Sequence, residues 1–243
     1  KVKGIEKHPY LMQFNPSDQV VADTISRYLA QRGDSINCVL VEAKENDVIP
    51  SSIAALRKAL KQYKIPQTSV SVHSILVGSM AEALVPDVEN IIIFNTEKYA
   101  NLLAVMPHLM KIYGQFRITL FSQYSWQKEK IILPQLYTSV FGAEPIISEE
   151  YEELYRQYFD HELASTQPRY DLLGYDLTSQ LIQMLVENKN MDTSEWLNTH
   201  IWEGAQEKIH YQPVGEQGGW ENQIVQIIHQ WCEDITYGLY CVW

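Results

Sequence analysis

Ile91-Ile92-Ile93-Phe94, closed by Asn95-Thr96, is the stretch that decides the fold of this chain. Four consecutive apolar residues leave no polar face, so a strand of this composition is covered on both sides. Three further runs share the character: Cys38-Val39-Leu40-Val41, Val70-Ser71-Val72-His73-Ser74-Ile75 and Ile118-Thr119-Leu120-Phe121. Each is followed by residues at helical spacing. Helices crossing between parallel strands cover both faces in this way, and the pattern predicts an α/β fold with a parallel sheet and helices on both faces. Sheets of this kind bind ligands beyond the carboxyl ends of their strands.

Outward from that strand, the elements follow in order. Asn15-Pro16-Ser17-Asp18 starts a helix carrying Val21, Ile25, Tyr28 and Leu29, and Gly33 ends it. The first strand is expected from Ile36 to Ala43. Ser51 or Ser52 caps a helix with the stripe Ile53, Leu56, Leu60 and Tyr63, and Pro66 closes it. The second strand is expected over Ser69 to Leu76, with a short helix near Ala81–Val85 leading to the third at Asn90–Asn95. Thr96 caps a helix bearing Leu102, Leu103, Met106, Leu109 and Met110, in which Pro107 implies a kink or break. Phe116–Ser122 is the fourth strand, and Leu136–Phe141 a weaker fifth.

The pattern changes after Pro145. Ser148-Glu149-Glu150 places acidic groups at a helix N-terminus, where the dipole favours them. Tyr151, Leu154, Tyr155, Tyr158, Phe159 and Leu163 form an aromatic stripe that reads as core. Leu172, Leu173, Leu177, Leu181 and Leu185 mark a second helix, and Ser194–Gly204 a third. Two strands near Lys208–Pro213 and Gln223–His229 are joined by Gly215-Glu216-Gln217-Gly218-Gly219. The organisation expected is an α/β lobe over 1–147, helices over 148–206, and closing strands with a tail over 207–243.

Composition narrows the function. The net charge of the 243 residues is −11, and no basic stripe appears, which argues against nucleic acid as a partner. No apolar run approaches the roughly 20 residues that span a bilayer. Cys38 reads as an inert core residue. Cys232 and Cys241 form a disulfide only in an oxidising compartment. Without CxxC or paired His spacing, no zinc site is expected, and no other metal or cofactor is implied. Lys1 opens into a linker without Met or signal sequence, as in a mature form or an excised fragment.

Enzyme signatures do not appear in the sequence. Gly215–Gly219 lies between strands and lacks GxGxxG spacing. Neither GxxxxGK[ST] nor GxSxG occurs, and Ser79 after Gly78 reads as a helix cap. Asp171 and Asp176, five apart, face different ways on one helix and form no acid/base dyad; a structural role is expected for both.

Several tracts together resemble the type I periplasmic-binding-protein family, the solute receptors of branched-chain amino-acid transport. Tyr10-Leu11-Met12-Gln13-Phe14-Asn15-Pro16-Ser17-Asp18 resembles the crossover into the carboxy-terminal lobe. Tyr151 to Phe159 and Tyr170-Asp171-Leu172-Leu173-Gly174-Tyr175-Asp176 resemble the helices that return to the first lobe. Trp202-Glu203-Gly204 and Gly218-Gly219-Trp220-Glu221-Asn222 resemble the closing hairpin of Bacteroides-type envelope homologues, often linked to a peptidoglycan-binding LysM module. Only Lys1–Pro9 precede the crossover, so the resemblance makes this chain the later portion of a longer protein.

The resemblance implies a non-catalytic receptor-like domain of the periplasm or cell envelope, clamping a small polar solute, of amino-acid or peptidoglycan-fragment type, between two lobes. Its alternative is a ligand-free structural or interaction module, meeting peptidoglycan or an envelope protein through a preceding region. A third reading is an α/β enzyme with dispersed catalytic residues. Ligand-facing positions after the third and fourth strands are Asn95, Thr96, Glu97, Ser122, Gln123 and Trp126, which supply amides, hydroxyls and one aromatic wall. The favoured reading of Thr96 is nonetheless a helix N-cap, and of Trp126 a packing residue. After the first strand stand Glu42, Lys44, Glu45, Asn46 and Asp47, of which Glu42-Ala43-Lys44-Glu45 reads as a solvated loop rather than a charge-selective pocket.

Overall fold

The computed structural model describes residues 2–43, 49–126, 129–139, 147, 149–163, 169–187, 193–205, 208–230 and 239–242. In chain order its first strands and helices are β1 (Met12–Gln13), α1 (Asp18–Gln31), β2 (Ile36–Glu42), α2 (Ser51–Gln62), β3 (Gln67–Ser71) and α3 (Val72–Leu76). Next come β4 (Glu89–Phe94), α4 (Tyr99–Tyr113), β5 (Arg117–Phe121), β6 (Gln135–Ser139), α5 (Glu149–Phe159), α6 (Tyr170–Glu187) and α7 (Thr193–Thr199). The last strands are β7 (Trp202–Glu203), β8 (Lys208–Ile209), β9 (Tyr211–Pro213), β10 (Trp220–Asn222), β11 (Gln226–Gln230) and β12 (Leu239–Val242). Two compact units result: Lys1–Ser17 with Ser139–Gln226, and Asp18–Thr138 with Ile227–Trp243.

The second unit is built on a sheet of order β12-β11-β6-β5-β4-β2-β3. Strands β3, β2, β4, β5 and β6 run parallel to one another, as two-faced burial predicts, and β12 lies antiparallel to β11. Along β2 the side chains alternate between layers. Val39 and Val41 join Ile92, Phe94, Leu120 and the α4 residues Leu102, Val105 and Leu109. Cys38 and Leu40 join Ile91, Ile93 and the stripes of α1 and α2 on the opposite face. Burial pushes the Cys38 thiol up to about 12, so it sits in the core as an unreactive thiol.

Three expectations change within this unit. The strand expected over Ser69–Leu76 is β3 at Gln67–Ser71, and helix α3 begins at once. The Ser71 hydroxyl accepts a 3.0 Å hydrogen bond from Ser74 N, so a helix cap overrides the strand-like alternation of Val70 and Val72. The short helix placed near Ala81–Val85 is a 3₁₀ turn at Ser79–Ala83. Helix α4 runs on past Pro107 to Tyr113 without breaking.

Polar side chains knit the amino-terminal edge of this sheet. Asn90 is fully buried. Its Oδ1 accepts from Val85 N and Asn37 Nδ2, and its Nδ2 donates to the carbonyls of Val85, Val88 and Arg117. Glu89 beside it receives the Thr119 hydroxyl and the Arg32 guanidinium, with His229 Nε2 3.3 Å from Oε1.

In the first unit β10 pairs in parallel with β1 and antiparallel with β9, while β7 and β8 form a separate ladder. Trp196, Leu197, Ile209, Tyr211, Trp220 and Met184 make its core. Strand β10 corrects the expected tail: Gly215–Gly219 joins β9 to a strand at Trp220–Asn222, whose Glu221 and Asn222 are buried though polar. Gly219 N donates to Ile5 O at 2.7 Å, and a side chain there would collide with the Leu11 carbonyl. The third helix ends at Thr199 rather than Gly204.

The aromatic stripe of α5 is not core. No α5 residue is buried, and its rings pack on one another and on α6 instead, with Tyr155–Phe159 at 4.7 Å and Tyr151–Tyr175 at 4.8 Å. Helix α6 buries Leu172, Asp176, Gln180 and Met184, while Leu181, Ile182, Leu185 and Val186 are exposed. The two aspartates have the structural roles expected of them. Asp171 takes a bidentate hydrogen bond from Arg169, which holds its carboxyl below the usual range. Asp176 accepts a 2.6 Å hydrogen bond from Ala205 N.

Gly204 closes over that carboxylate so tightly that an added Cβ overlaps it. Gly204→Ala is therefore expected to cost about 2 kcal/mol, the penalty of overpacking a close contact. Denaturant unfolding followed by circular dichroism measures it. A loss below 0.5 kcal/mol, within the range of neutral surface changes, contradicts this packing.

Candidate functional site

The chain enters the sheet at β2, passes outward to β3, then returns to the other side of β2 to build β4, β5 and β6. The strand order reverses between β2 and β4, which marks the carboxyl ends of those strands as the crevice where such sheets take ligands. Tight loops follow β4 and β5 there, and all six candidate residues lie on them. Lys44, Glu45, Asn46 and Asp47 after β2 lie outside the described residues. Glu42 is half-exposed and pairs with Arg57 at 3.1 Å.

The β4 loop is fastened to its neighbours. Asn95 N donates to Val41 O at 3.0 Å, and the Asn95 amide oxygen accepts from Ala43 N at 2.8 Å, joining the ends of β4 and β2. Thr96, buried, accepts from Lys98 N at 3.2 Å. Its hydroxyl thus makes a turn before α4, which begins at Tyr99, instead of capping the helix directly. The Glu97 side chain is exposed, but its carbonyl accepts a 2.8 Å hydrogen bond from Trp126 Nε1.

Trp126 is fully buried and meets Phe94 edge-on at 5.6 Å. It holds the two loops together from the core side and offers no exposed face to a solute. Gln123 ties the same loops by donating from Nε2 to the carbonyls of Phe94 at 3.1 Å and Thr96 at 2.8 Å. Ser122 N reaches Leu136 O at 2.8 Å, extending the tie to β6.

Two atoms remain. Ser122 Oγ and Gln123 Oε1 are buried at the end of β5 with no hydrogen-bond partner among the described residues. Each such atom costs about 1–3 kcal/mol, and a hydroxyl and an amide oxygen are both able to accept a hydrogen bond. The sequence named both residues; which of their atoms stay unbonded follows from the loop geometry alone. What it missed is the fixed main chain around them, the Ala43 amide and the Phe94 and Thr96 carbonyls, which carries no side-chain signal. Among the described residues no three His, Cys, Asp or Glu gather to hold a metal, and no helix is long and apolar enough to cross a membrane.

Compared with family models and with curated proteins, the sequence matches none. Solved structures do match. An ABC transporter substrate-binding protein from Desulfitobacterium hafniense, in complex with Leu, superposes over 93% of this chain at a TM-score of 0.53 and 15% identity. The fold is that of a type I periplasmic-binding-protein lobe. A putative branched-chain amino-acid ABC transporter protein from Rhodospirillum rubrum covers 94% at 0.55 and 10% identity. A leucine-, isoleucine-, valine-, threonine- and alanine-binding protein from Brucella ovis covers 97% at 0.52 and 11%. The chain spans 66%, 67% and 64% of those three proteins in turn, about two thirds of their length. In an open α/β sheet of this order, the carboxyl edge of β2, β4 and β5 lies at the switch point of the strand order.

Proposed function

We propose that this chain is a non-catalytic, receptor-like lobe of the periplasm or cell envelope that binds a small polar solute at the carboxyl edge of β4 and β5. The observation that carries the reading is that Ser122 Oγ and Gln123 Oε1 are buried at the carboxyl end of β5 without a hydrogen-bond partner among the described residues. A solute ammonium or hydroxyl supplies what the Gln123 oxygen lacks, and the Ser122 hydroxyl donates or accepts as required. Asn95, Thr96 and Trp126 hold the loops, and the exposed Glu97 carboxylate adds a charge at the rim. Amino acids are the leading solute class, since the Desulfitobacterium and Brucella proteins of this fold are described with such ligands. Muropeptides are the second.

A ligand-free module attached to a LysM-type peptidoglycan-binding region is the competing reading. It is favoured by how completely Asn95, Thr96 and Trp126 are bonded to their own loops. Titration calorimetry with leucine, polar amino acids and muropeptides separates the two. Binding is expected, and Ser122→Ala is expected to weaken it about tenfold, one hydrogen bond's worth. The same change leaves unliganded stability equal or higher, because it removes an unbonded hydroxyl. Absence of binding across the panel, or unchanged affinity in Ser122→Ala, overturns the solute-binding reading.

A further inference from the structure

Strand β3 ends the seven-stranded sheet, and among the described residues no strand pairs with its outer side. A parallel strand beneath its crossover helix ordinarily carries apolar residues. Here β3 presents Gln67 and Ser69 instead, next to Leu40 of β2. With Arg57 and Lys61 of α2 and the turn residues Lys64 and Ile65, they line a groove of about 420 Å³.

The groove is cationic in an acidic molecule. Arg57, Lys61 and Lys64 line it without a carboxylate, while the whole chain carries a net charge of −11. Arg57 is anchored by Glu42 at 3.1 Å. Lys61 and Lys64 are exposed and form no ion pair among the described residues. Gln67 Oε1 is buried without a hydrogen-bond partner among the described residues.

Three unmet demands meet in one place among the described residues: two lysines without counter-charges, an amide oxygen without a donor, and a strand edge without a neighbour. A simple anion answers only the first. An extended peptide with acidic side chains answers all three, its carboxylates facing the cations and its backbone N–H groups serving the edge and the Gln67 oxygen. We infer that this groove docks an extended acidic segment of a partner protein, added to the sheet alongside β3 with its carboxylates against Arg57, Lys61 and Lys64.

Fluorescence anisotropy tests this with a labelled peptide of alternating Glu and Val, about six residues long, the usual strand length. It is expected to bind the full chain at low ionic strength and to weaken as salt rises. The double variant Lys61→Glu, Lys64→Glu is expected to bind at least about tenfold more weakly, because two near-surface attractions become repulsions. Both lysines are exposed, so circular dichroism of this variant is expected to match the parent. The same peptide N-methylated along its backbone, which cannot extend a sheet, and a Lys-Val peptide are expected not to bind. Equal affinity for either control, no effect of the charge reversals, or equally effective displacement by inorganic phosphate overturns the inference.

Discussion

Glu89→Gln is expected to destabilise the sheet unit by about 3 kcal/mol at neutral pH. Burial alone raises a carboxyl pKa, yet the nearby His229 ring, the Thr119 hydroxyl and the Arg32 guanidinium outweigh it and hold Glu89 at about 2 against an ordinary 4.5. A shift of that size corresponds to about 3 kcal/mol of preference for the charged form in the folded state. The sign follows from linkage: a carboxyl depressed on folding contributes fully above its unfolded pKa and loses that contribution as pH falls through its folded one. The contribution is therefore present above pH 4.5 and disappears towards pH 2. Glu89→Gln removes this pH-dependent part, so parent and variant converge on acidification. Urea midpoints by circular dichroism at pH 7 and near pH 2.5 measure it. Parallel curves with a constant gap contradict the account.

Trp126→Ala is expected to cost about 3–5 kcal/mol, the range for emptying a buried aromatic site. The ring is fully buried against Phe94, and its Nε1 is the donor to the Glu97 carbonyl that closes the β4 loop onto the β5 loop. Trp126→Phe separates the two contributions. It retains most of the apolar volume and drops the hydrogen bond, so about 1–2 kcal/mol is expected. Solute affinity should fall with Trp126→Ala as well, because Gln123 is positioned by the same loop. A loss below about 1 kcal/mol for the alanine variant contradicts a positioning role.

Legibility in the sequence tracked burial. Strands β2, β4 and β5 stand out because both of their faces are covered, so each carries a run of apolar residues through its centre or end. Strand β3 is at the edge and reads Gln-Thr-Ser-Val-Ser, so the apolar signal slid into the helix that follows it. Strand β10 has no apolar pattern at all beyond Trp220; hydrogen bonds to distant chain segments bury Glu221 and Asn222. The α5 stripe misled for the reverse reason, because helical spacing shows that a face is apolar but not that anything covers it. At the basic groove, Arg57, Lys61 and Lys64 carry no distinguishing pattern in the sequence; only the polar strand beside them sets them apart.

Local composition alone was enough to establish parallel strands flanked by helices and the edge at which to look for a ligand. Both follow from a rule that acts residue by residue: strands covered on two faces must be apolar, and their loops emerge at one end. Tertiary structure decided the grouping of Lys1–Ser17 with Ser139–Gln226, the burial of Glu89 and Asn90, and the choice of Ser122 Oγ and Gln123 Oε1 as the atoms left unbonded. Those outcomes depend on which donors and acceptors from remote segments come within hydrogen-bonding reach, and sequence spacing carries no record of that.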